Sequence, residues 1–101
     1  MRFYFQSEDE RAIIHDQAPD PIAQIVAQFL IKNFSPEIAY MHRWNDGYTY
    51  DGTAHSATET ILFSVRDNSL IYLPKSKMGK FVEGRSIAEN PASCSISLES
   101  L

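Results

Sequence analysis

Asp20-Pro21, followed by Ile22, Ile25, Val26, Phe29, Leu30 and Phe34, restricts what this chain can fold into more than any other stretch. An Asp side chain accepts from the free N–H groups of a first helical turn. Pro at the next position gives up no hydrogen bond there, and its fixed φ suits the helix. The apolar residues recur at 3.6-residue spacing, with Gln24, Gln28 and Lys32 on the other side. Pro36 disfavours helical geometry in the residue before it, so the spacing predicts one main helix over about 21–34. A helix with a single apolar stripe must lay it against a partner layer, and most of the remaining chain reads as strand.

Arg2 to Gln6 is short, aromatic and bounded by polar residues, as an N-terminal strand is. Ser7-Glu8-Asp9-Glu10 has the spacing of a capping box and allows a short helix over Arg11 to Gln17, ended by Pro19. Ala12, Ile13 and Ile14 form no stripe there. Residues 37 to 44 admit two readings: Ser35-Pro36-Glu37 could cap a second helix, while Ile38, Tyr40, His42 and Trp44 alternate with Ala39, Met41 and Arg43, which favours a strand. Asn45-Asp46-Gly47 then predicts a hairpin turn, with Tyr48-Thr49-Tyr50 as the return strand opposite the first and a break at Asp51-Gly52. Thr58 to Val65 and Ser69 to Leu73 form a second hairpin around Arg66-Asp67-Asn68. Pro74 to Glu89 is a basic connection with an apolar island at Phe81-Val82. Beyond it Ala92, Cys94, Ile96 and Leu98 alternate with Ser93, Ser95, Ser97 and Glu99 as a half-buried strand. The expectation is a single α+β domain, 1–101: the main helix, with or without the short preceding one, on an antiparallel sheet of five to six strands.

Composition narrows the function classes. A single cysteine, Cys94, rules out an internal disulfide framework and a cysteine-based zinc finger, and its place on the apolar face of the last strand reads as a buried structural residue. No apolar run approaches the roughly 18–20 residues of a membrane span, and Phe3-Tyr4-Phe5 runs at once into Ser7-Glu8-Asp9-Glu10, unlike a signal-peptide core. A cytoplasmic protein is expected. The net charge of -4 argues against duplex nucleic acid, whose binders draw most of their affinity from neutralising phosphates. Lys77-Met78-Gly79-Lys80 lacks the pattern of a nucleotide-binding loop, and no cofactor is implied.

Residues 40 to 55 gather side chains suited to recognition. Tyr40, His42, Arg43, Trp44, Tyr48 and Tyr50 are the candidate binding residues, because Tyr, Trp and Arg bury large areas at small entropic cost and keep a polar handle. His42, Asp46, Asp51 and His55 offer metal donors, but their spacing of four, five and four matches no compact metal signature, so no metal site is predicted. The resulting expectation is a non-catalytic module that binds a protein partner through an aromatic hairpin face. Small acidic inhibitors and immunity-type proteins share this size and charge. The alternative is a small metal-independent RNase-like enzyme, with His42 and His55 as base and acid and Lys77 near the phosphate. The terminal strand, if it lies at a sheet edge, would also allow a homodimer.

Overall fold

The computed structural model describes residues 1–8, 18–80 and 86–101 in full and 10–15 as backbone. Among the described residues, seven strands form one sheet in the order β2-β1-β3-β4-β5-β6-β7. They are β1 (Arg2–Ser7), β2 (Glu10–His15), β3 (Ile38–Arg43), β4 (Tyr50–His55), β5 (Thr60–Arg66), β6 (Ser69–Pro74) and β7 (Cys94–Ser97). Helix α1 (Pro21–Phe34) is the one α-helix among these residues, and the remaining helical segments are single 3-10 turns. The architecture is α+β. Every neighbouring pair is antiparallel except β1 and β3, which run parallel, with β2 and α1 forming the connection between them. No helix among the described residues is long and apolar enough to cross a membrane.

Helix α1 starts and stops where its residues dictate. Asp20 Oδ1 accepts from Ala23 N–H at 2.8 Å, Pro21 occupies the first turn, and Ser35 takes a left-handed conformation (φ 47°), its N–H bonded to Ile31 C=O. The line pressed deepest into the sheet is Ala23, Val26, Ala27 and Leu30, while Ile22, Ile25, Phe29 and Phe34 flank it half-buried. Two alanines on that line bring the helix backbone close, and the larger side chains spread sideways over the sheet. Opposite them lie Phe3 and Phe5 of β1, Ala39 and Met41 of β3, Ala54 of β4, and Ile61, Phe63 and Val65 of β5, all buried.

The short helix allowed over 11–17 is not formed: Glu10–His15 is strand β2, paired with β1 from Phe3↔His15 to Ser7↔Glu10. Ala12-Ile13-Ile14 carries no helical stripe, and β-branched residues pair readily. Asp9, Asp16 and Gln17 lie outside the described residues, as do Phe81-Val82 and Arg85 of the basic connection. The break expected at Asp51-Gly52 is also absent, since both residues sit inside β4. A side chain at Gly52 would collide with the Tyr40 carbonyl oxygen and the Phe63 ring, so glycine here serves close packing inside a strand. In the β5–β6 hairpin Asp67 and Asn68 both have positive φ (51° and 60°), as a two-residue turn matched to strand twist requires.

The second face of the sheet is covered on one side only. Leu73, on the opposite side of β6 from the main core, is fully buried, and its cross-strand partner is Leu62. The 3-10 turn Ile87–Glu89 packs against β5 and β6, and buried Asn90 donates to Met78 C=O at 3.1 Å. Among the described residues nothing covers this face over β1, β3 and β4.

Candidate functional site

Strand parity assigns the residues of β1, β3 and β4 to the two faces. Since Phe3, Phe5, Ala39, Met41 and Ala54 point to the helix, Tyr4, Tyr40, His42, Asp51, Thr53 and His55 point the other way. Parallel pairing of Tyr4 with Tyr40 stacks their rings, 5.0 Å between centroids and 14° between planes. Tyr40 also meets His55 edge-on at 5.7 Å, and the His42 ring meets Trp44 edge-on at 4.6 Å. A shallow depression of about 170 Å³ lies among Tyr4, Gln6, Tyr40, His42, Asp51 and Thr53.

Asp51 organises this face. Its Oδ2 accepts from Trp44 Nε1 at 2.6 Å, and Arg66 Nη2 reaches both of its oxygens at 3.3 and 3.4 Å. Trp44 is 47% exposed, so its indole is held by a charged acceptor while its ring remains in water. The loop Trp44–Thr49 that follows is built around Asp46. Its Oδ1 accepts from the Tyr48 and Thr49 N–H groups at 2.9 and 2.8 Å, and its Oδ2 from the Thr49 hydroxyl. The Thr49 hydroxyl, with the two N–H donors behind it, holds the Asp46 carboxyl below its ordinary pKa. Gly47 supplies the positive φ of 79°.

The same loop changes the expected pairing. Asp46 takes the Tyr48 and Thr49 amides, so the return strand starts at Tyr50, which faces Arg43 across the ladder. Arg43 and Tyr50 consequently lie on the helix side. Tyr50 is 2% exposed; its hydroxyl donates to Asp20 Oδ2 at 3.1 Å, and Arg43 Nη1 reaches the same oxygen at 3.2 Å. The Arg43 guanidinium also lies over the Phe5 ring at 5.3 Å. Burial, together with the neighbouring Asp20 charge, pushes the Tyr50 phenol up to about 12. These two residues join the start of α1 to the sheet and are not available to a ligand on the open face. Tyr40, His42 and Trp44 remain there, and Tyr48, 62% exposed, lies in the loop that follows Trp44.

His42 and His55 share the open face but do not converge. His42 pairs with Asp51 and His55 with Ile38, which separates them by four residues along the strands, or about 13 Å. Both ring nitrogens of His55 are engaged by hydroxyls, Nε2 with Thr53 Oγ1 at 2.9 Å and Nδ1 with Thr60 Oγ1 at 3.1 Å. Lys77 lies in the 3-10 turn Lys75–Lys77 after β6, beside Glu59, whose carboxyl is held down chiefly by the Ser76 hydroxyl. A base and an acid on opposite sides of one phosphate need a shorter span than this face provides. Among the described residues, no three His, Cys, Asp or Glu side chains gather closely enough to hold a metal ion.

Cys94 is exposed rather than buried, because β7 is a four-residue edge strand extending past the cover of α1. Tyr4, Asp51 and Arg66 belong to the open face, and for Asp51 and Arg66 no local signal shows it. Tyr4 alternates with buried Phe3 and Phe5, which marks it as facing away from them, but its stacking on Tyr40 depends on a parallel pairing that local pattern does not encode. Compared with known proteins, the chain matches no family model, no curated protein and no solved structure.

Proposed function

We propose that this protein is a small non-catalytic binding module that takes a protein partner on the open sheet face, with Trp44 as anchor and Tyr40, His42 and Tyr48 around it. The observation that carries this reading is the state of Trp44: it contributes nothing to the main core, stands half in water, and is oriented by a 2.6 Å bond to Asp51, itself held by Arg66. An aromatic side chain ordered before binding loses little entropy when a partner covers it. Tyr40 adds large exposed area on the same side, Tyr48 adds more on the adjoining loop, and the stacked Tyr4 backs Tyr40. An inhibitor- or immunity-like role suits a module of this kind.

Trp44 is the only tryptophan in the chain, so its fluorescence reports on this face alone. Proteins retained from native lysate by the wild type are to be compared with those retained by a Trp44→Ala/Tyr48→Ala variant, and each retained protein titrated against the Trp44 signal. The expected outcome is a partner that shifts the emission toward that of a buried indole and is lost from the variant. The variant should melt within about 4–8 °C of wild type, equivalent to about 1 kcal/mol. Retention of the same proteins by the variant, or its collapse into an unfolded chain, overturns the reading.

A further inference from the structure

We propose that β7 is a self-association edge, through which two copies of this chain join by a two-fold axis centred on Ile96. The backbone polarity of the strand carries the argument. Leu98 N–H donates to Asn68 C=O at 2.9 Å, and the β6–β7 register continues from that pair through Leu70↔Ile96 and Tyr72↔Cys94. Hydrogen-bonded pairs alternate along an antiparallel ladder, so the N–H and C=O groups of Cys94 and Ile96 turn toward β6 and those of Ser95 and Ser97 turn outward. Among the described residues nothing lies beyond β7 in the sheet.

Edges of this kind are usually blunted by charge, proline, a bulge or shortness, and of these β7 has only its four-residue length. Here residues 90 to 98 contain no charged side chain, and Pro91 precedes the strand rather than interrupting it. Ile96, paired with Leu70, is half-buried against the core on the helix side, where the half-buried Tyr72, Phe29 and Phe34 also pack, their rings with centroids 5.1 to 6.2 Å apart. An apolar strip thus runs beside an uncharged edge that no described residue pairs.

A second copy is the occupant that suits this edge, because an antiparallel strand is complementary to itself about a two-fold axis perpendicular to the sheet. Centring the axis on Ile96 pairs Ser95 with Ser97 of the second copy and Ser97 with its Ser95, which satisfies all four outward groups of each chain from within β7. Centring it on Ser95 would require Ser93, whose N–H is already donated to Asn90 C=O at 3.0 Å. In the favoured register the two Ile96 side chains meet as a non-hydrogen-bonded pair, the closest cross-strand arrangement. The two helices lie on one side of the joined sheet and the two open aromatic faces on the other. The association does not depend on what those faces bind.

Sedimentation of the full chain up to high micromolar concentration tests the association, and cysteine cross-linking tests the axis. The wild type is expected to approach twice the monomer mass as concentration rises. Ser95→Pro removes an outward N–H without touching the β6 ladder, and it should remain monomeric with an unchanged circular dichroism spectrum. Under mild oxidation Cys94→Ser/Ile96→Cys should cross-link almost completely, since a non-hydrogen-bonded pair lies within disulfide reach. Cys94→Ser/Ser95→Cys should cross-link at least tenfold less. A wild type that stays monomeric throughout, or cross-linking that favours position 95 over 96, overturns the proposal.

Discussion

Asp20 is where a single substitution should reveal how the helix is tied to the sheet. Its carboxylate does three jobs: Oδ1 caps α1 through Ala23 N–H at 2.8 Å, while Oδ2 accepts from the Tyr50 hydroxyl at 3.1 Å and from Arg43 at 3.2 Å. Asp20→Ala removes the cap at a cost of about 1 kcal/mol. It also strands the buried Tyr50 hydroxyl, which costs roughly 1–3 kcal/mol more. Loss of the half-exposed Arg43 ion pair adds about 0.2–1 kcal/mol. A total near 3 kcal/mol corresponds to a fall in Tm of roughly 12–24 °C for a domain of this size. Urea unfolding followed by far-ultraviolet circular dichroism measures it, because exposed Trp44 is a poor reporter of the core. Tyr50→Phe alone should cost about 1 kcal/mol. In the Asp20→Ala background it should cost nothing or restore stability, since the orphaned hydroxyl is gone, leaving a coupling of about 1 kcal/mol or more. If Asp20→Ala costs less than about 1 kcal/mol and the double variant is additive, Asp20 acts only as a helix cap and the account of Tyr50 and Arg43 is refuted.

Two further outcomes follow from the same contacts. The neutral Tyr50 phenol is favoured in the folded state, where its pKa is about 12 against an ordinary value of 10.0. Its contribution to stability is therefore complete below pH 10 and is lost as pH rises from there through about 12; Tyr50→Phe should lose less stability over that window in alkaline unfolding. Ultraviolet titration of phenolate absorbance should show one tyrosine fewer ionising near pH 12 in that variant. Gly52→Ala places a methyl against the Tyr40 carbonyl and the Phe63 ring and should cost about 1–3 kcal/mol by calorimetry, whereas Gly47→Ala, with open space around it, should be strained by its φ alone. Equal melting of Gly52→Ala and wild type would remove the packing role assigned to that glycine.

Much of the fold is legible because its signals are local. Asp20-Pro21 and the stripe to Phe34 define α1 with its cap and end, since capping and helical periodicity act within a few residues. The alternation in 38 to 43 and the Asp67-Asn68 turn likewise place β3 and the β5–β6 hairpin. Residues 10 to 15 resist the same treatment: three adjacent apolar residues favour neither a period of 3.6 nor one of two, and pairing with β1 decides in favour of strand.

The open face divides along similar lines. From the sequence came the period-two alternation that sets Tyr40, His42 and Trp44 on one side and Met41 and Arg43 on the other if the segment is a strand; pairing with β1 and β4 decided for strand over a second helix. Which side the helix covers is a property of the assembled layers, and only the tertiary structure left Trp44 in water. The Asp46 loop shifted the start of β4 to Tyr50, setting Tyr50 against Arg43 and sending both to Asp20 at the base of α1. Tyr4, Asp51 and Arg66 came to the face through strand order and register. Those pairings join residues far apart in the chain and are chosen by burial of the whole sheet, a criterion no short window of residues contains.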